Sequence, residues 1–191
     1  MTPAADTGGD GPDRPGAGSQ TGHTRLLIIA DTHVPTRARE LPARVWDEID
    51  SADVVIHAGD WMDPGLLDSL EDRSKRLIAC WGNNDGPELR ERLPEVARVT
   101  LDGVRLVVTH ETGASAGREK RMAKAYPDTD VLVFGHSHIP WDTTAPTVSG
   151  EGELRLLNPG SPTDRRRQPH CTYMSATIEC GALHDVELHR L

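Results

Sequence analysis

Five short motifs, each standing directly behind a run of mainly apolar residues, constrain the fold of this 191-residue chain more than any other feature. They read A-D-T-H at 30–33, H-A-G-D at 57–60, G-N-N-D at 82–85, V-V-T-H at 107–110 and G-H-S-H at 135–138. The runs cover residues 26–30, 54–56, 77–81, 106–108 and 131–134. A run apolar at every position reads as a strand buried on both faces, as in a parallel sheet. Open α/β sheets collect ligands at the carboxyl ends of such strands.

The motifs carry seven potential metal ligands: Asp31, His33, Asp60, Asn83, His110, His136 and His138. Each motif alone says little. D-x-H is common, and G-D and G-N-N-D are ordinary turn sequences. H-x-H is stronger, because alternate strand residues face the same way. Five independent turns do not explain all five motifs in order behind five strands. Seven N and O ligands without cysteine suit two hard or borderline divalent ions. Ions about 3.5–4 Å apart serve phosphate-ester hydrolysis by lowering the pKa of a shared water. Asp60 has two carboxylate oxygens and can bridge both ions. The four histidines must be neutral to donate a lone pair.

Residues 31–33, 59–60, 82–85, 110 and 135–138 together resemble the calcineurin-like metallophosphoesterase superfamily. Asn158-Pro159-Gly160-Ser161 is similar to a late motif of its small bacterial and archaeal phosphodiesterase branch. The resemblance runs from Arg25 to Leu191. It implies an α/β fold, a four-layer sandwich of two mixed β-sheets flanked by α-helices. It implies that Asp31, His33, Asp60 and His138 hold one metal, and that Asp60, Asn83, His110 and His136 hold the other. Mn²⁺ is the expected metal, with Ni²⁺, Co²⁺, Fe²⁺, Zn²⁺ or Mg²⁺ as alternatives. The expected activity is phosphodiester hydrolysis, with phosphomonoesterase or nucleotide pyrophosphatase as alternatives. A metal-binding protein-interaction scaffold is the rival from another class, and it has no need of seven ligands.

Asp60, Asn83 and Asn84 are the catalytic candidates. Asn84 stands where many superfamily members carry a histidine that protonates the leaving oxygen or steadies the transition state. An amide is a poor proton source. Glu111 stands where glycine is commoner and is expected to point outward, with a clash against an anionic substrate as the alternative. His57, Trp61 and Trp141 read as packing residues near the motifs. Arg165, Arg166 and Arg167 read first as a solvated loop, with contact to a substrate phosphate as the alternative.

Residues 1–24, rich in Gly, Pro, Asp and Thr, read as a disordered tail that includes His23, and residues 25–191 as one domain. Helices are expected over 41–49, from Pro64 to about Glu71 behind an Asp63 N-cap, over 87–92 and over 115–126. Asp102-Gly103 predicts a two-residue hairpin. After Pro140 the pattern becomes all-β. The net charge of −9 opposes tight nonspecific nucleic-acid binding. No apolar run reaches the roughly 18 residues of a membrane span, and the N-terminus lacks an apolar signal core. Three cysteines give no disulfide framework and read as buried thiols. A cytoplasmic protein acting on a small phosphate ester, free to form a homo-oligomer, is the expectation.

Overall fold

The computed structural model describes residues 23–191. The expected tail therefore lies outside the described residues, apart from exposed His23 and half-buried Thr24, and Thr24 already belongs to the first strand and not to the tail. The first half alternates strand and helix: β1 (Thr24–Ile29), α1 (Ala43–Ser51), β2 (Val54–Ala58), α2 (Pro64–Arg73), β3 (Leu77–Cys80) and α3 (Pro87–Arg92). Then come β4 (Val96–Leu101), β5 (Val104–Thr109), α4 (Arg118–Ala125), β6 (Val131–Val133), β7 (Trp141–Pro146), β8 (Glu153–Asn158), β9 (Thr172–Glu179) and β10 (Ala182–Arg190).

Two five-stranded sheets form, in the orders β10-β9-β1-β2-β3 and β4-β5-β6-β8-β7. In the first, β1, β2 and β3 are parallel neighbours. In the second, β5, β6 and β8 are parallel. All five motif-bearing strands thus point their carboxyl ends along two parallel ladders. Antiparallel strands close the edges: β9 and β10 beyond β1, β4 beyond β5, and β7 beyond β8. The two hairpins after Pro140 go to different sheets.

Strand periodicity explains the unbroken apolar runs. Leu26, Ile28, Val54, Ile56, Leu106, Val108, Val131 and Val133 fill the core between the sheets. Their neighbours Leu27, Ile29 and Val55 pack outward against Val45, Ile49, Leu66, Leu67 and Leu70 of α1 and α2. Val107 and Leu132 pack outward with Met122 and Ala123 of α4. Two apolar faces per strand make three cores, and three cores make the expected four layers.

Local signals account for most boundaries. Asp63 accepts the Gly65 N–H at 2.8 Å and caps α2, with Pro64 in its first turn. Asp102 (φ 45°) and Gly103 (φ 89°) are both left-handed, as a type I′ turn requires. Helix α4 starts three residues later than expected, because Gly117 is left-handed (φ 68°) and cannot continue a helix. Its Arg121 donates to the carbonyls of Thr112 (2.7 Å) and Ala114 (2.5 Å). The cysteine reading also needs correction. Cys80 is buried and Cys171 partly so, but Cys180 is exposed in the β9–β10 turn with φ 51°. Among the described residues, no helix is long and apolar enough to cross a membrane.

Candidate metal centre

The motifs converge at one end of the two sheets. Asp31 and His33 follow β1, Asp60 follows β2, Asn83 follows β3, His110 follows β5, and His136 and His138 follow β6. Asp31, His33, Asp60, His110 and His138 are buried, whereas the His136 side chain is half exposed. Five of the seven have left-handed backbones: Asp31 (55°), His33 (44°), Asp60 (63°), His136 (71°) and His138 (57°). Such φ values are uncommon outside glycine, and they cluster where side chains must be aimed against backbone preference.

Two groups of ligand atoms result. His33 Nε2 and His138 Nε2 lie 3.1 Å apart, and His138 Nε2 lies 3.3 Å from Asp31 Oδ1. On the other side, Asn83 Oδ1 lies 3.0 Å from His110 Nε2 and 2.9 Å from His136 Nδ1. Asp60 stands between the groups. Its Oδ2 is 3.5 Å from His33 Nε2, and its Oδ1 is 3.4 Å from His110 Nε2. Asp31, His33 and His138 offer ligand atoms within 4.8 Å of one another, and so do Asp31, Asp60 and His110. His136 is tied to the second group through Asn83.

Tautomers can be read from fixed partners. His110 Nδ1 faces the Ala58 carbonyl at 2.7 Å, and His138 Nδ1 faces the Asp164 carbonyl at 2.5 Å. A carbonyl only accepts, so both protons sit on Nδ1 and both Nε2 lone pairs point into the site. In that state these two nitrogens converge with the Asp31 and Asp60 carboxylate oxygens and Asn83 Oδ1, all of them acceptors. Asp31 Oδ2 is also buried without a hydrogen-bond partner. Lone pairs crowded together, with a buried carboxylate oxygen left unpaired, fit cations and little else.

The charges behave accordingly. Burial opposes ionisation of Asp60, but His110 and two Asn84 donors outweigh it and hold the carboxyl below its usual range. Burial lowers His110 too, yet its protonated form donates from Nε2 to Asp60, and that bond with the Asp31 and Asp60 charges raises it overall. His33 is lowered, chiefly by burial.

A supporting layer holds the ligands. Asp85 accepts N–H groups from Asp60 (3.1 Å), Trp61 (2.8 Å), Met62 (2.9 Å) and Gly82 (2.7 Å). It thereby clamps the β2 and β3 loops together. Ser161 donates to the Asp31 carbonyl at 2.7 Å, and Asn158 donates to the Gly135 carbonyl at 2.8 Å. The N-P-G-S motif therefore braces the first and last ligand motifs. Gly59 (φ 85°) could not carry a side chain, because a Cβ there would lie 2.8 Å from His110 Nδ1.

The other candidates sort clearly. Asn84 is exposed, but both its side chain and its backbone bind Asp60. Its side-chain amide donates to Asp60 Oδ2 at 2.7 Å and its backbone N–H to Asp60 Oδ1 at 3.0 Å. Glu111 does not point away from the site as expected: its Oε1 is 3.4 Å from His136 Nδ1, so the carboxylate stands on the rim. His57 is buried, accepts the Gly59 N–H on Nδ1 and meets Thr32 Oγ1 through Nε2. Burial drives its pKa well down, and it supports the loops as a neutral ring. Trp61 stacks on His57 at 3.5 Å and donates to the Cys80 carbonyl, so it is core. Trp141 packs under Arg118. Arg165 donates to the Gln168 carbonyl, whereas Arg166 donates to the His136 carbonyl at 3.1 Å. The backbone bonds of Arg121 and Asp85 had no signal in the sequence. Both residues act on backbone groups, which leave no residue-type signature.

The chain is similar to a probable metallophosphoesterase of Methanocaldococcus jannaschii, at 36% identity over 144 residues, 74% of this chain and 70% of that protein. It is also similar to a phosphodiesterase of the same organism, at 25% identity over 125 residues, 60% of this chain and 73% of that one. A Thermotoga maritima protein solved by NMR superposes with a TM-score of 0.68 at 32% identity, over 88% of this chain and 99% of that one. Vacuolar protein sorting 29 of Cryptosporidium parvum shares the fold, with a TM-score of 0.69 at 19% identity over 88% of this chain and 98% of that one. Residues 25–181 match the family described as the calcineurin-like phosphoesterase superfamily domain, and the chain belongs to that family.

Proposed function

We propose that the protein is a dinuclear metal-dependent phosphoesterase that prefers phosphodiesters. One observation carries the reading: the two oxygens of Asp60 face different histidine groups, Oδ2 toward His33 and Oδ1 toward His110. One carboxylate placed that way can serve two cations at once. Asp31, His33 and His138 would complete one position, and Asn83, His110 and His136 the other. Mn²⁺ suits this set of imidazole, carboxylate and amide ligands. Divalent ions held there would supply Lewis acidity and an activated water.

The chain's own residues do the rest. His110 and His138 keep their Nε2 lone pairs aimed inward through their Nδ1 bonds. Asn84 fixes the orientation of Asp60, so both carboxylate oxygens keep their directions. Asn83 contributes a neutral oxygen and limits the negative charge that an anionic ester must approach. Glu111 at the rim adds repulsion that grows with substrate charge, which favours a diester monoanion over a monoester dianion. The name of the Methanocaldococcus phosphodiesterase agrees with this choice.

A hydrolysis screen tests the reading. Chelated protein should be inactive, and Mn²⁺ or a similar ion should restore turnover of aryl diesters faster than of matching monoesters. Activity surviving exhaustive chelation, or faster monoester turnover, would overturn it.

A further inference from the structure

Beside the ligand segment 136–138 lies a cavity of about 360 Å³, lined by Ser137, Ile139, Arg166, Arg167 and Gln168. Its position and chemistry bear on the substrate. Ser137 sits between two candidate ligands, so a molecule in this cavity touches the same chain segment that holds the metal centre. Arg166 is pinned. Its backbone is left-handed (φ 48°), its N–H is held by Asp164 Oδ1 at 3.2 Å, and its guanidinium donates to the His136 carbonyl at 3.1 Å. Arg167 is exposed, and among the described residues its side chain makes no hydrogen bond or ion pair. Ile139, in the same lining, is 46% exposed, one of few large apolar side chains left open to solvent among the described residues. The cavity thus combines an exposed apolar side chain with unspent positive charge, in a chain of net charge −9.

We propose that this cavity is the subsite for one ester arm of the substrate, and that the arm carries its own anionic group. The apolar body of the arm would lie on Ile139. Its carboxylate or phosphate would meet Arg167, with Arg166 beside it. A guanidinium fork suits both anions, as bidentate donors suit any planar or tetrahedral oxyanion. The substrate class that follows is a phosphodiester whose one ester arm carries a second negative charge. This inference rests on the phosphoesterase reading for the words "ester arm", but its binding chemistry can be tested without turnover.

The test uses two non-reacting probes, butylphosphonate and 4-phosphonobutyrate, which share a phosphonate and differ in a terminal carboxylate. Calorimetry on the full, Mn²⁺-loaded chain gives the ratio of their affinities. We expect the carboxylate probe to bind about tenfold tighter, roughly 1.4 kcal/mol. Arg167→Ala should bring the ratio close to one, and Arg167→Lys should retain part of it. Raising ionic strength should shrink the wild-type ratio, because the arginine is exposed. Equal affinities in the wild type, or a preference that Arg167→Ala leaves intact, would overturn the subsite. In parallel, butyl 4-nitrophenyl phosphate and 3-carboxypropyl 4-nitrophenyl phosphate separate the two readings. If neither is hydrolysed while the Arg167-dependent binding ratio holds, the esterase reading fails and the anion subsite stands. If both are hydrolysed and the binding ratio is one, the esterase stands and the subsite falls.

Discussion

Asn84 donates its side-chain amide to Asp60 Oδ2 at 2.7 Å, and that oxygen also faces His33. The residue that stands in place of the usual histidine is therefore turned toward the bridging candidate. It donates two hydrogen bonds to that carboxylate, and a side-chain amide is a poor proton source near neutral pH. Asn84→His should raise kcat/KM most for esters with the poorest leaving groups, since an imidazolium is a usable acid near neutral pH. A series of aryl and alkyl diesters checks this. A gain that ignores leaving-group pKa would contradict it. Asn84→Ala should lower the stability of the metal-free protein by about 1 kcal/mol, the scale of one charge-assisted bond that is partly exposed.

Glu111 stands on the rim, 3.4 Å from His136 Nδ1. Glu111→Gln removes one negative charge from the path of the substrate. The ratio of monoester to diester kcat/KM should rise severalfold in this variant, and the rise should fade at high salt. An unchanged ratio would mean that Glu111 plays no part in choosing between the two charges.

Asp85 accepts four backbone N–H groups from two loops. Asp85→Ala leaves those donors without partners and unties Asp60 from Gly82. A loss of more than about 2 kcal/mol is expected in denaturant unfolding, together with weaker metal binding. Loss of stability with full metal affinity would show that the clamp serves the fold alone.

His57 is buried as a neutral ring, and burial lowers its pKa well below the usual 6.5. The unfolded chain takes up a proton below about pH 6.5 that the folded chain refuses. Stability from this group is complete above that pH and is lost as pH falls, by up to about 1.4 kcal/mol per pH unit. His33 acts in the same direction and His110 in the opposite one, so the comparison must be between variants. Metal-free His57→Asn should show a shallower fall in unfolding free energy between pH 7 and pH 5 than metal-free wild type. Equal slopes would contradict the assignment.

Much of the fold could be read from residue types. The apolar runs give the strands because both faces are buried. Asp63-Pro64 marks the start of α2, and Asp102-Gly103 gives the β4–β5 turn. The order of the ligands along the chain was visible as well. What stayed hidden is backbone geometry. Nothing in the side chains of Asp31, His33, Asp60, His136 and His138 reveals that all five adopt left-handed φ. The Asp85 clamp is invisible for the same reason, since its four partners are N–H groups that every non-proline residue has. Cys180 seemed a core thiol, but a turn next to Gly181 placed it outside. Glu111 was misjudged because the fold of the loop after β5, more than its charge, decides its direction.

The central claim is that Asp60 serves two metal positions at once. Metal bound per chain, measured by elemental analysis after equilibration with Mn²⁺ and removal of free ion, tests it most directly. Close to two ions are expected in the wild type, about one in His33→Ala and in His110→Ala, and almost none retained in Asp60→Ala. One ion per wild-type chain, or an Asp60→Ala protein that keeps one ion as tightly as His33→Ala does, would contradict it.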